Sequence, residues 1–267
     1  MQSNTTPVDN GHALVLPTTQ SLDSLTAGLS ERAPWFYSLR FTNGATTEGI
    51  TEDIAAIHRT RTDAIFSHLD RLFGERWDAV RCLDIACHEG WFSLQTAVRG
   101  ASSVLSYDIR PEHIAKAQWL RDVTGLTQTH FEVRDLFALD PATLGTFDLV
   151  FFVGIFYHLE NPMAALRIAR NLTRGVCVLE GQVARQQEIA IGWGPVGMER
   201  RGPGLVALPG EPVHAHQPAG IVLVPTLEAL RLMLLHAGFR EVHLVLPAQS
   251  AYEAFQTYDR VMLFAYV

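Results

Sequence analysis

A chain of 267 residues is long enough for one large α/β domain, or for such a domain with a cap. Apolar residues make up 48% and charged residues 18%, which excludes a disordered chain, and no run approaches the ~20 apolar residues of a membrane-spanning helix. The formal charge of −7, with 21 Lys and Arg against 28 Asp and Glu, weighs against nucleic acid as a partner.

The opening, MQSNTTPVDNGHALVLPTTQ, lacks the basic start and apolar core of a signal peptide. Residues 1 to about 30 are rich in Ser, Thr, Asn and Asp and read as an aperiodic draping arm. An aromatic piece, Trp35-Phe36-Tyr37, and the turn signal Asn43-Gly44 follow. Together they make an N-terminal arm and helical cap over residues 1–50, ahead of a main domain over 51–267. A long helix is expected after Thr51, with Ile54, Ile57, Ile65, Leu69 and Leu72 at near-helical spacing and Gly74 closing it.

From Val80 the pattern becomes short apolar runs alternating with helices. Strands are expected at 80–86, 103–108, 130–134, 147–153 and 175–180, with helices at 91–99, 111–125 and 162–171 between them. The fourth run is continuously apolar, as a strand buried on both faces should be. Residues 181–222 are rich in Gly and Pro without a usable period and read as a lid insertion. Thr226 then caps a helix stopped by Gly238, and two strands, 241–246 and 261–267, finish the chain. The fold expected is α/β, a doubly wound, mostly parallel seven-stranded sheet of the Rossmann-like kind. Cys82, Cys87 and Cys177 have no CxxC spacing and leave one unpaired, which points to reduced thiols and a cytoplasmic setting.

The chemistry concentrates at strand ends. RCLDIACHEGWFS delivers Asp84 on a strand and turns through Gly90 into a helix, so that a ligand can lie against the backbone where α/β sheets place their sites. Ala86 and His88 stand where a GxG pattern would have glycine. Asp108 ends the second strand, where an acid can take both ribose hydroxyls. Asp135, with Leu136 and Phe137, follows the third, an acid plus apolar walls of the kind an adenine requires. The fourth runs into FDLVFFVGIFYHLENP.

At these residues the chain resembles the class I S-adenosylmethionine-dependent methyltransferases. LDIACHEGWFS looks like their first motif, SYDIRP their second, VRDLF their third and FDLVFFVGIFYHLENP their fourth. The resemblance implies S-adenosyl-L-methionine as cofactor. Asp84 and Gly90 would flank its methionine part, Asp108 and Ile109 its ribose, Asp135 and Leu136 its adenine, with Val153 at the end of the fourth strand. The departures at Ala86 and His88 imply a tighter loop, with His88 and Glu89 near the methionine carboxylate or amine. WFYSLRFTNGATTEG, GWFS, RGA and FYHLENP together look like the branch holding tRNA wobble-uridine carboxymethyl transferases and their small-molecule relatives.

Methyl transfer from a sulfonium is an in-line displacement, so the protein supplies alignment and, where needed, a base. Tyr157 and His158 fall beside the expected methyl position; His158 is a candidate base, or else a histidine propping its loop. Glu180, ending the fifth strand, would contact an amine or cap a neighbouring helix. Trp35, Tyr37 and Trp193 are candidates to stack on a planar substrate, or else core aromatics. His214 and His216 have HxH spacing, but with no cysteine or acid cluster beside them they read as lid histidines touching substrate, and no metal is expected. Paired Arg200-Arg201 meets a substrate anion or simply faces solvent.

The expected function is methyl transfer to N or O of a small molecule. A tRNA wobble-uridine modifying transferase is the second reading, and a binding module that keeps the fold without the chemistry is the third. The first needs no basic face, which a chain with one lysine, Lys116, is poorly equipped to build. The acids Asp84, Asp108 and Asp135 argue against the third.

Overall fold

The computed structural model describes residues 13–47, 51–185, 188–192, 196–210, 220–248 and 252–267. Trp193, His214 and His216 lie outside the described residues. No helix among those described is long and apolar enough to cross a membrane.

The elements run α1 (Leu22–Glu31), α2 (Glu52–Phe73), β1 (Arg81–Ile85), α3 (Trp91–Val98), β2 (Ser103–Asp108), α4 (Pro111–Thr124), β3 (Thr129–Val133), α5 (Pro141–Leu144), β4 (Phe147–Val153), α6 (Pro162–Leu172) and β5 (Thr173–Gln182). After these come β6 (Ile189–Gly192), β7 (Glu199–Gly202), β8 (Leu205–Pro209), β9 (Ile221–Pro225), α7 (Leu227–Ala237), β10 (Glu241–Val245), α8 (Glu253–Gln256) and β11 (Arg260–Tyr266).

Helix starts follow side-chain capping. Thr51 accepts the amide of Ile54 at the head of α2, Asn161 that of Ala164 at α6, and Thr226 that of Ala229 at α7. Pro162 takes the first position of α6, where its missing N–H goes unneeded.

Seven strands form one sheet in the order β10-β11-β5-β4-β1-β2-β3. β1 to β5 pair in parallel, and β11 runs antiparallel between β5 and β10. Alternation along each strand fills two cores. Cys82, Val104, Phe131, Leu149, Phe151 and Phe264 face one, with α2, α3 and α4; Leu83, Val150, Phe152, Cys177 and Leu263 face the other, with α6 and α7. Both faces of β4 are therefore dry, which is why its sequence is continuously apolar. All three cysteines are free and buried. The chain winds outward from β1 toward β3 and then restarts at β4 on β1's other side, so β1 and β4 flank the switch point where open α/β sheets bind ligands.

Two expectations need correction. The first described residues are not an aperiodic arm: Ser21 caps α1, Leu25 and Leu29, one turn apart, are buried, and Leu16 bridges Phe41. They join the same core as the sheet. Within 181–222, β6 pairs with β7 and β8 with β9 as antiparallel ribbons, so this insertion carries ordered strands. Leu223 donates its amide to the carbonyl of Leu159, tying β9 to the loop after β4.

Candidate active site

Asp84, 2% exposed, sits on β1 and accepts a 2.6 Å hydrogen bond from Ser93 Oγ, which also meets Ser106 Oγ at 2.8 Å. Burial pushes the Asp84 carboxyl up to about 7. The loop that follows keeps a backbone made for glycines. Ala86, His88 and Gly90 have φ of 60°, 53° and 80°. That corrects the expected tighter loop: all three slots hold the left-handed region, two of them without glycine. Gly90 has no substitute, because a Cβ there would lie 2.7 Å from the ring of Phe131.

Asp108, buried at the end of β2, closes the loop. It accepts the amide of His88 at 2.9 Å, and the amide and Nε of Arg110 at 2.9 and 3.1 Å. The His88 ring stacks on Phe36 at 4.5 Å and lies 3.6 Å from that of His113, in the first turn of α4. Burial, and then neighbouring positive groups, hold both histidines below the ordinary range. Glu89 accepts the amides of Phe36 and Tyr37 and the ammonium of Lys116, which also donates to the carbonyl of Pro34. The N-terminal cap is thereby pinned onto the loop.

Large apolar side chains stand exposed beside the ends of β2 and β3: Ile109 at 48%, Val133 at 50% and Phe137 at 44%. Asp135 is exposed and accepts the amide of Phe137, and Leu136 is half-buried beside it. Such unpaired apolar surface fits a flat heterocycle.

Past Val153, Gly154 donates its amide to the carbonyl of Glu180 at 2.8 Å, and Phe156–His158 form a single 3₁₀ turn. The rings of Tyr157 and His158 are 4.1 Å apart. Gly181 leaves room for the Tyr157 ring, which a Cβ would meet at 2.5 Å. Glu180 neither caps a helix nor stands open to an amine. It is fully buried between Arg61 of α2 at 3.2 Å and Arg260 of β11 at 2.8 Å. Arg61 also donates to the hydroxyl of Tyr37 at 2.8 Å, and Arg260 to that of Tyr157 at 3.4 Å. The ring of His58 stacks on Tyr37 at 4.3 Å. Trp35 is buried, its ring N–H on the carbonyl of Leu29. Arg200 and Arg201 lie exposed on β7, Arg201 paired with Glu199.

Beside these residues, past the ends of β5 and the start of β11, opens a cavity of about 550 Å³. Ile57, Val183, Val206, Val224, Tyr252 and Arg260 line it. Arg61, Arg260, His58 and His113 were not singled out from sequence. One signal existed: Arg61 falls on the apolar stripe of α2, four residues from both Ile57 and Ile65.

A seven-stranded sheet with one antiparallel strand and a ligand loop after β1 is the Rossmann-like methyltransferase fold. Residues 77–190, the stretch that holds β1 to β5 and the loop after β1, match the family described as Methyltransferase domain. Among solved structures, the chain is similar to the N-terminal domain of EvdMO1 with SAH bound (TM-score 0.68, 21% identity, 93% of this chain and 98% of that one). It is also similar to magnesium protoporphyrin IX methyltransferase from Synechocystis PCC 6803 with bound SAH (TM-score 0.54, 17% identity, 82% and 89%). Curated relatives include tRNA U34 carboxymethyltransferases. That of Cellvibrio japonicus is 31% identical over 112 residues, 40% of this chain and 34% of that protein. That of Pseudomonas syringae pv. tomato is 28% identical over 170 residues, 62% and 47%. The chain thus spans from a third to about half of the length of these curated relatives.

Proposed function

We propose that this chain transfers the methyl group of S-adenosylmethionine to nitrogen or oxygen of a small-molecule acceptor. The observation that carries the reading is the cavity at the ends of β5 and β11. It lies along the same sheet edge as the loop after β1, and its volume of about 550 Å³ suits a small molecule.

Bound, the donor supplies an electrophilic methyl on a sulfonium. The chain's residues fit it. Gly90 lets the backbone approach, Asp108 offers carboxylate oxygens to ribose hydroxyls, and Ile109, Val133 and Phe137 offer apolar walls to the base, with Leu136 and Asp135 at its edge. Asp84, Ala86, His88 and Glu89 surround the place of the methionine part. Val153, Tyr157 and His158 then stand beside the methyl, where alignment of the acceptor does most of the work. His158 takes the acceptor's proton if one must leave.

The curated relatives are named for tRNA U34, and that supports tRNA as the second acceptor class. The excess of acidic over basic residues weighs against it. Incubation with methyl-labelled S-adenosylmethionine decides between them, using a small-metabolite extract in one arm and unfractionated tRNA in the other. Label entering the metabolite fraction supports the proposal; label entering tRNA alone refutes it.

A further inference from the structure

The chain's single lysine, Lys116, sits in a place that methyl transfer itself does not use. It rises from α4 with its side chain 19% exposed, and its ammonium meets the Glu89 carboxylate at 2.9 Å and the carbonyl of Pro34. The other oxygen of Glu89 accepts the amides of Phe36 and Tyr37 at 2.9 and 3.4 Å. Residues 33–39 belong to no helix or strand, so these side-chain bonds stand where ladder bonds would. Thr47 holds the far end, its hydroxyl accepting the amide of Leu39 and donating to the carbonyl of Tyr37, both at 2.8 Å.

Pro34 to Tyr37 thereby cross the loop after β1, from Lys116 of α4 to Arg61 of α2, which donates to the Tyr37 hydroxyl. Phe36 stands between the rings of His88 and His58, each centred 4.5 Å away. His88 holds its ring there from a φ of 53°, a backbone that glycine adopts at lower cost but with no ring for Phe36 to meet. The donor's methionine part is placed above against this same stretch, at His88 and Glu89. Its adenine end is open by contrast, with Ile109, Val133 and Phe137 exposed. A crossing fastened by side chains rather than by a ladder opens locally, without unfolding of the domain.

Resting on the donor placement above, and on no choice of acceptor, we infer that Lys116 is a positioning residue that latches this crossing through Glu89, and that the donor's methionine end enters and leaves only when the latch opens. The latch is made without the donor as well as with it. Loosening it therefore speeds entry and release by the same factor and leaves the affinity nearly where it was, because neither the free nor the bound state is favoured over the other. A direct contact to the donor behaves differently: its loss speeds release alone and weakens binding.

The test measures association and dissociation of S-adenosylhomocysteine by stopped-flow fluorescence on the full chain, with hydrogen exchange of the Phe36 and Tyr37 amides as a direct report on the latch. Lys116→Met removes the ammonium, a charge-assisted partner of Glu89. Both rates should rise at least about tenfold while Kd stays within about threefold, and exchange of the two amides should quicken by a similar factor. Lys116→Arg keeps a cation and should stay within about threefold of wild type in both rates. A rise in dissociation alone, with Kd weakened to match, would make Lys116 a support for the bound donor and overturns the gate. Unchanged rates beside quickened amides would take the crossing off the donor's path and overturn it too. Should Lys116→Met fail to fold, wild type decides: S-adenosylhomocysteine must leave no faster than the two amides open, and faster release overturns the inference. These outcomes leave the donor reading standing, whereas failure of S-adenosylhomocysteine to bind wild type removes both.

Discussion

Gly90 is the point where backbone conformation and packing meet, and Gly90→Ala tests both. With φ at 80°, an alanine there pays for the left-handed region, about 1–2 kcal/mol. Its Cβ would also stand 2.7 Å from Phe131 and 3.2 Å from Ala117, both buried in the core, an overpacking worth roughly 1–3 kcal/mol. The reduced freedom of the unfolded chain returns about 0.4–1 kcal/mol. The net loss should therefore be about 1–4.5 kcal/mol, read from urea denaturation midpoints. Gly44→Ala is the control, since φ there is 91° but a Cβ meets nothing within 4 Å. It should lose no more than about 1.5 kcal/mol, the conformational share alone. Phe131→Leu makes room, so the double variant Gly90→Ala/Phe131→Leu should lose at least about 0.5 kcal/mol less than the two single losses summed. If Gly90→Ala costs no more than Gly44→Ala, or if the cycle is strictly additive, the crowding argument is wrong.

Three further outcomes follow from the site. Asp108→Asn should weaken S-adenosylhomocysteine binding by about 1.5–3 kcal/mol in calorimetry, the scale of hydrogen bonds to a charged group; unchanged affinity in a folded variant would misplace the ribose contact. Burial raises the Asp84 carboxyl from its ordinary 3.8 to about 7, so its contribution to stability is complete below about pH 4 and is lost as pH rises through about 7. Chemical denaturation across that window should show Asp84→Asn flattening the decline, and an identical pH slope in the variant would count against the buried carboxyl. His158→Ala should lower turnover by about 10²–10⁴-fold with donor affinity nearly intact if the ring takes a proton, and normal turnover sinks that assignment. Loss of thermal stability and donor binding together would make it a prop for the loop.

Much of the fold could be read in advance because its determinants are local. Thr51, Gly74, Thr226 and Gly238 sit at helix ends as capping chemistry requires, and the unbroken run from Phe147 to Val153 marks a strand dry on both faces. The N-terminal helix escaped because Ser21 to Ser30 holds only three leucines, Leu22, Leu25 and Leu29, and their buried pair one turn apart is too short a stripe to stand out. The paired ribbons β6/β7 and β8/β9 escaped because Gly and Pro interrupt them and little of their surface is buried. Asp84, Asp108 and Asp135 were legible as strand-end acids, because each lies at or just past the end of a strand. The partners of Glu180 were not: Arg61 and Arg260 are 119 and 80 residues away, and no periodicity links residues that meet only when β5, β11 and α2 are assembled. The loop's departures at Ala86 and His88 were visible as residue types, but their left-handed backbone was not, since few non-glycine residues adopt it and alanine has no side-chain feature that marks it.

The proposed function requires the donor to lie across the ends of β1, β2 and β3 and to present its methyl toward β4 and the cavity beyond. A crystal structure of the chain with S-adenosylhomocysteine tests it most directly. The ribose hydroxyls should lie on Asp108, the adenine between Ile109 and the side chains of Val133 and Phe137, and the sulfur should face the Val153–Tyr157 turn. A ligand seated with its ribose away from Asp108, or with its sulfur turned from β4, would contradict it.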